Sequence, residues 1–420
     1  LIPGRRGGAG FLQAARSAWD AFFAPLPECA IPPRPDERLI AAALILTGFV
    51  LRLFYIDTFR AQPFPPDVPW SVMLAMRGAF DTVPKEPLFV WWLKALHTGG
   101  AEGFLTVRTW TVLWYVPTAL ALWWGARRPL GRWALVALAL HASLPAQIAA
   151  DANGERHVLE TFFTVVLWGV LRAGPSAPAG RGALAGSAAV MAMALTRLNL
   201  GAAGLLAWAT RLRGRRDFHG FAGAAILATL AVLPHFAANR KKTGDPFYSV
   251  NLHAYWFANK EFIGRPGFAA TPEEWQRDAY RPSLTYRQWA FEAHTPAAYV
   301  KETLAGYPRI FRSEIRGLLL GLKIPRAIRG GLTMLLIVGL LGGLAMSGFR
   351  STVVLGLALL FPFAFVSHVH MAPRFFAPVY PLIAVLIALG ARLLVDAGRR
   401  WTAPGPGINP VRKSHRRGGR

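Results

Sequence analysis

The stretch "LIAAALILTGFVLRLFYI", residues 39–56, contains a single charged residue, Arg52. An α-helix of that length rises about 27 Å, close to the ~30 Å hydrocarbon thickness of a bilayer. Apolar side chains occupy all sides of such a helix, so none of them suits water. Runs of the same kind recur at 332–346 ("LTMLLIVGLLGGLAM"), 351–366 ("STVVLGLALLFPFAFV") and 375–395 ("FFAPVYPLIAVLIALGARLLV"). The composition agrees. Of 420 residues, 53% are hydrophobic and only 16% charged, and the mean hydropathy is +0.32. A soluble domain carries about 25% charged residues. The expected fold class is an all-α polytopic membrane protein.

Reading each apolar run against the charges that bound it predicts about ten transmembrane helices. They fall near 39–56, 104–125, 133–150, 158–172, 183–197, 200–212, 219–236, 328–346, 351–368 and 375–395. The fourth to sixth are short of a perpendicular crossing, which leaves a re-entrant hairpin open for one pair. Lys/Arg bias orients the chain. Arg127, Arg128, Arg132, Arg172, Arg181, Arg211, Arg213, Arg215, Arg216 and Arg350 fall on one side, together with the tail "VRKSHRRGGR". That side is expected to be cytoplasmic and to hold both termini. Residues 1–38 then form a cytoplasmic N-terminal segment, 39–395 the membrane domain and 396–420 a basic, disordered cytoplasmic tail. Two long extracytoplasmic loops, 57–103 and 237–327, face the other side. Each holds an amphipathic stretch, "WSVMLAMRGAF" or "AAYVKETLAGYPRIF", suited to lie along a membrane surface.

The net charge of +25 resides in residues that flank or interrupt apolar runs. That placement suits membrane lipids and topology, so nucleic acid is not an expected partner. The single cysteine, Cys29, excludes an internal disulfide framework.

Few residues carry chemistry, and they cluster beside the predicted outer face. Asp67, in "PPDVPWSVMLAM" (65–76), reads equally as a helix N-cap or as a functional acid. Glu160, in "GERHVLETFFTVV", heads an apolar run, where a carboxylate is costly unless it meets a cavity or a partner. Arg156 stands one turn earlier and offers that partner at i, i+4; Asp151 competes for any acidic role. Arg108, in "FLTVRTWTVLWYV", and Arg197, in "MALTRLNL", fall in or beside apolar runs. Each alone can snorkel to the interface. With Lys85 and Arg374 they make a set of cations suited to a phosphate or pyrophosphate held at the bilayer surface. In "SHVHMAPR" (367–374), His368 and His370 can share a metal only on extended backbone, since on a helix they point apart. No Ser-His-Asp set, phosphate-binding glycine loop or CxxC pattern is present.

Taken in order, these residues resemble the GT-C class of membrane glycosyltransferases, and within it the protein mannosyltransferase and aminoarabinose transferase branch. Arg52 ends the first span; Asp67, Trp70 and Ala75 fill the acidic–aromatic–Ala pattern after it. Lys85, Pro87, Leu88, Trp92 and Leu93 fill the "KPPL..WL.AL" element, and Arg108 fills the Arg opening the second span. "LHASLPAQIAADANGERHVLETFFTVVL" is similar to the second outer loop and the acid opening the fourth span. "MALTRLNL" resembles the "LTRP" turn, "PHFAANRKKTGDPFYSVN" the start of the large loop, and "HMAPRFFAPVYPLIAVL" the approach to the last span. The series covers roughly residues 39–395. Val68 stands where the family carries a second acid, Glu86 replaces the first Pro of "KPP", and Leu198 replaces the Pro of "LTRP".

The resemblance implies transfer of a sugar from a polyprenyl-phosphate donor to an acceptor hydroxyl on the extracytoplasmic face, with inversion. The acceptor, whether protein, glycan or lipid, is not specified. Asp67 would be the general base, and Glu160 would orient a sugar or support Asp67. Lys85 and Arg374, then Arg197, would meet the leaving phosphate, with Glu86, Arg108, Arg156 and Trp92 completing the substrate-binding set. Trp70, Trp91 and Trp92 read either as sugar-stacking platforms or as interfacial anchors. No cofactor is implied with certainty; a divalent metal stays open, although Val68 in place of the second acid counts against a two-carboxylate metal site. The Ala/Arg/Gly-rich composition suits a high-GC bacterium, so the expected location is the cytoplasmic membrane. The competing class is a transporter or flippase of an anionic lipid-linked substrate, which would concentrate charges at mid-membrane on broken helices.

Overall fold

The computed structural model of the chain describes residues 34–60, 67–76, 82–83, 85–98, 104–173, 179–210, 212, 215–277, 284–318, 325–370 and 373–402. The expected N-terminal segment, apart from residues 34–38, and residues 403–420 of the tail lie outside the described residues; residues 396–402, expected to be disordered, instead continue the last helix. Among those described there are helices and turns but no strand.

The first span is α1, Pro35–Thr58, which starts with Pro at its first position and carries Asp36 and Glu37 in its first turn. Both features favour a helix start, one by fixing φ and the other by meeting the helix dipole. Short helices follow: α2 (Asp67–Ala75), α3 (Pro87–Thr98) and α4 (Phe104–Val112). Next come α5 (Tyr115–Leu130), a 3-10 turn (Gly131–Trp133), α6 (Ala134–Ser143) and α7 (Pro145–Ala152). Gly131 takes a positive φ of 57°, and extended Leu144 precedes Pro145. A turn at Leu113–Trp114 interrupts the run expected at 104–125, Leu144 interrupts that expected at 133–150, and Gly131 separates the two. The helices α8 (His157–Ala173), α9 (Ala179–Thr196) and α10 (Leu198–Ala209) match the three short expected runs. Extended Arg197 forms the break between α9 and α10. Twelve-residue α10 rises only about 18 Å, well short of a bilayer.

The chain continues through α11 (Arg215–Thr243), α12 (Tyr248–Glu261), α13 (Pro272–Arg277), a π-helical turn (Gln288–Ala293) and α14 (Pro296–Leu318). It closes with α15 (Arg326–Ala345), α16 (Ser347–Val366), a 3-10 segment (Pro373–Val379) and α17 (Tyr380–Thr402). Of the amphipathic stretches of the long loops, residues 70–75 of the first are helical in α2 and residues 297–311 of the second in α14; residues 77–80 lie outside the described residues.

Among the described residues, five helices are long and apolar enough to cross a membrane, and a sixth span arises if the pair bent by 57° at Leu144 counts as one. Their faces differ. The last of them, along α17, is 78% buried within the protein, whereas those in α1, α11 and α15 are 22% buried. Leu39, Leu46 and Phe54 of α1 and Ile226 and Leu230 of α11 therefore lie outward. An apolar exterior of this extent belongs in lipid. The chain is an all-α membrane protein.

Helix packing places α17 at the centre, against α15 and α6, while α8 lies between α5 and α9 and α10 rests on α16. At the α15–α17 crossing, a Cβ on Gly390 would overlap the Leu335 carbonyl, and one on Gly339 would overlap the Leu386 carbonyl. Lipid tails are as apolar as Leu, so close backbone approach replaces the hydrophobic effect as the attraction between such helices.

One charge pair ties α1 to α7. Arg52, fully buried, donates from Nε to Asp151 Oδ2 at 2.8 Å, and Gln147 donates to Asp151 Oδ1 at 2.7 Å. The guanidinium also reaches the Gly48 carbonyl at 2.8 Å and the Ala142 carbonyl at 3.2 Å, and lies 3.7 Å from the Tyr115 ring centre. Asp151 is thus committed to holding Arg52. Breaking a buried pair on one side costs about 3–5 kcal/mol, whereas replacing both partners is often near neutral. Asp151→Ala should therefore lower the thermal midpoint in detergent steeply. Arg52→Met combined with Asp151→Ala should recover most of the loss. A double variant no better than the single one would show that the pair is not an isolated two-body contact.

Candidate functional site

A group of charged residues gathers where α8 and α10 begin, α9 ends and the final 3-10 segment starts. Its centre is Glu160, whose exposure is 0%. Oε1 lies 3.2 Å from Arg156 Nε and 3.2 Å from Arg197 Nε, and Oε2 lies 2.9 Å from His157 Nδ1. The expected i, i+4 pair with Arg156 is present, but it is one contact of three.

From that centre the charges alternate outward. Arg156 Nη1 donates to Glu86 Oε2 at 2.7 Å and stands 3.4 Å from the Thr196 carbonyl. His157 Nε2 lies 3.2 Å from Glu155 Oε2, and Arg374 Nη1 donates to Glu155 Oε1 at 2.9 Å. A carboxylate at each nitrogen of His157 favours the doubly protonated ring, because carboxylates only accept. Among the described residues, three carboxylates then face three guanidiniums and one imidazolium, one more positive charge than negative.

Local sequence explains how these side chains arrive. Glu155, Arg156, His157 and Glu160 fall within one turn before α8 and its first turn, so the chain presents them together. Lys85 and Glu86 are held by a tight turn: Lys85 N–H donates to the Thr82 carbonyl at 2.6 Å and Thr82 Oγ1 donates to the Lys85 carbonyl at 2.7 Å. Pro87 then starts α3. Phe363 and Phe375 stack at 5.2 Å to form an aromatic floor, over which Arg197 sits at 5.8 and 5.7 Å from the two ring centres. Arg374 lies 5.5 Å from the Phe375 ring.

The group is buried but not satisfied. Arg197 is 8% exposed, and its Nη1 has no hydrogen-bond partner among the described residues. A buried donor left unpaired costs about 1–3 kcal/mol, and more when charged. Such a donor beside an excess positive charge is a place for an anion's oxygen.

Of the residues singled out from sequence, Glu86, Arg156, Glu160, Arg197 and Arg374 therefore meet in one connected group. Lys85 adjoins it through the turn at Glu86. Asp67 begins α2; its side chain lies outside the described residues, as does that of Trp70. Arg108 is buried in α4 and donates to the Phe59 carbonyl at 3.2 Å, tying α4 to the end of α1. Trp92 meets Trp114 edge-on at 5.4 Å within an apolar patch that includes Phe163. Sequence reading missed Glu155 and His157. The density of four titratable residues in "ERHVLE" at the head of an apolar run was the available signal.

His368 and His370 do not share a site. His370 Nδ1 lies 2.8 Å from Lys260 Nζ. Burial, Lys260 and Arg374 push the His370 ring down to about 4, so it is neutral near pH 7 and accepts from Lys260. His368 turns instead to Glu261 and His294, the one group among the described residues whose ligand atoms could hold a metal ion.

No family model matches the chain, and no curated protein sequence matches it.

Glu86 sits in the segment before α3. Burial raises its carboxyl, but Arg156 and His253 outweigh burial and hold it below its ordinary range. A carboxyl whose folded value is depressed adds stability above its unfolded value and loses it as pH falls through the folded one. The thermal midpoint of the parent should thus exceed that of Glu86→Gln most at pH values above 4.5. The gap should narrow as acid protonates Glu86. A gap constant down to pH 3, or about that, would show that the charge on Glu86 contributes nothing.

Proposed function

We propose that this chain is a multi-pass membrane glycosyltransferase that moves a sugar from a polyprenyl-phosphate donor to an acceptor hydroxyl at the extracytoplasmic surface. The observation that carries the reading is the buried Arg197 Nη1, which has no partner among the described residues, in a group whose described members carry more positive than negative charge. Its chemistry suits the phosphate of a lipid-linked donor, and the ordered resemblance to the GT-C class supplies the reaction.

In this reading the fold has about ten crossings, with α9 and α10 closing as a hairpin at Arg197. The arginine-rich end, where Arg127 and Arg132 meet Glu37, faces the cytoplasm by the positive-inside rule. The charged group then lies at the opposite, extracytoplasmic end of the cytoplasmic membrane.

The reaction is a direct displacement. The acceptor oxygen bonds to the anomeric carbon, its proton passes to Asp67, and the carbon–oxygen bond to phosphate breaks. The electron pair leaves on the lipid phosphate, where Lys85, Arg197 and Arg374 meet the growing negative charge. Inversion at the anomeric carbon follows. Glu160 acts as a positioning residue: buried among three cations, it fixes the guanidiniums of Arg156 and Arg197.

Purified protein in vesicles, supplied with radiolabelled polyprenyl-phosphate sugars and a panel of hydroxyl acceptors, should release lipid phosphate and label an acceptor. Asp67→Asn should lower the rate ~10²-fold or more. Undiminished transfer by Asp67→Asn would remove Asp67 as the base. Passage of intact lipid-linked substrate across the bilayer, with no donor consumed, would replace the transferase reading by the carrier.

A further inference from the structure

Glu261 closes α12, His294 follows the π-helical turn and His368 follows α16. Three segments distant in sequence thus deliver one carboxylate and two imidazoles to a single point. His294 Nε2 lies 2.9 Å from Glu261 Oε1, and His368 Nε2 lies 3.1 Å from the same oxygen. One ligand atom from each residue falls within 4.8 Å of the others.

The remaining polar atoms of these side chains are already engaged. His294 Nδ1 lies 2.8 Å from the Trp289 carbonyl and His368 Nδ1 lies 2.7 Å from the Phe365 carbonyl. A carbonyl only accepts, so both Nδ1 atoms carry a proton. Each Nε2 faces a carboxylate oxygen, so an Nε2–H donates to Glu261 Oε1 in the metal-free site, and a metal would displace that proton and take the Nε2 lone pair. Glu261 Oε2 takes its own bond from Trp289 Nε1 at 2.9 Å. One carboxylate oxygen and two Nε2 atoms converge, with each ring oriented by a backbone carbonyl, as metal-bound histidines usually are.

We propose that Glu261, His294 and His368 bind a divalent transition metal of the zinc type, with a water in the fourth position. Two imidazoles and a carboxylate form a nitrogen–oxygen set that zinc favours, at about 2.0–2.2 Å per bond. Tetrahedral ligands at those lengths stand about 3.3 Å apart, so the triad opens by a few tenths of an ångström to admit the ion. Phe262, Trp289 and Phe365 wall the site, with Phe262 and Phe365 ring centres 6.0 and 5.2 Å from His294. His368, 23% exposed on its side chain, is the open side. The ion would clip α12 and the π-helical turn, both in the long 237–327 segment, to the end of α16. This inference stands apart from the transferase reading and needs neither donor nor acceptor.

The test uses the untagged full chain in detergent, stripped on a chelating resin and equilibrated with micromolar Zn²⁺. Elemental analysis should find about one zinc per chain. His294→Asn and His368→Asn should each reduce this to background, while His370→Asn keeps it. Trp289→Phe, which removes the hydrogen bond to Glu261, should weaken binding about 10–100-fold. X-ray absorption of the zinc-loaded parent should show two imidazoles in the first shell, a readout independent of whether any variant folds. A folded parent that takes up no zinc overturns the proposal. So does zinc retained by the His294→Asn/His368→Asn pair, or a first shell without imidazole.

Discussion

A carboxylate with no exposure to water, set at the head of a helix in an apolar bundle, persists only if cations meet it. Glu160 is that carboxylate, and Arg156, Arg197 and His157 meet it within 3.2 Å. Removing two charges from water costs several kcal/mol per ion, and mutual attraction returns this only when geometry is good. The requirement fixes chain positions. Arg197 must be at the α9–α10 break, so the hairpin turns there. Arg156 extends to Glu86 and sets the start of α3, and His157 extends through Glu155 to Arg374 at the start of the final segment. One buried acid thereby registers four separate parts of the chain.

The rest of the bundle follows two other rules. Between the ends, helices meet through small residues, most closely where Gly339 and Gly390 let α15 and α17 touch backbone to backbone. At the end opposite Glu160 the cations are held more loosely. Arg127 and Arg132 share Glu37, Arg392 donates to the Pro129 carbonyl, and Arg172 lies 4.3 Å from the Phe349 ring centre. Arg392 also reaches Asp396 at 3.4 Å, so these arginines are met by isolated carboxylates, a carbonyl and a ring face. The Glu160 end instead combines three carboxylates with four basic side chains, a concentration that helix packing alone does not require.

How much of this could be read in the sequence depends on the range of each interaction. Apolar runs are local, so α1, α11, α15, α16 and α17 were legible, as was the i, i+4 contact of Arg156 with Glu160. The cost of a charge in lipid marked Arg197 and Glu160 separately as residues needing partners. Nothing local showed that they were each other's partner, nor that Arg52 would meet Asp151, 99 positions away. The division of 104–152 into five pieces came from the turn at Leu113–Trp114 and from Gly131, Leu144 and Pro145, which an average over an apolar run conceals. Glu261 and His294 had no signature at all. Each is an ordinary loop residue until α16 brings His368 beside them.

The arrangement also bears on which acid can act as the base. A general base must gain a proton in the transition state, and three cations within 3.2 Å oppose that gain. What the same cations do well is stay still, and electrostatic stabilisation of a leaving phosphate depends on donors fixed before charge develops. A base for the proposed transfer therefore has to stand outside the Glu160 cage. Asp67, at the first position of α2, meets that condition in the sequence order. On this view the buried acid holds the cations, the loop acid takes the proton, and the unpaired Nη1 of Arg197 marks where the phosphate belongs.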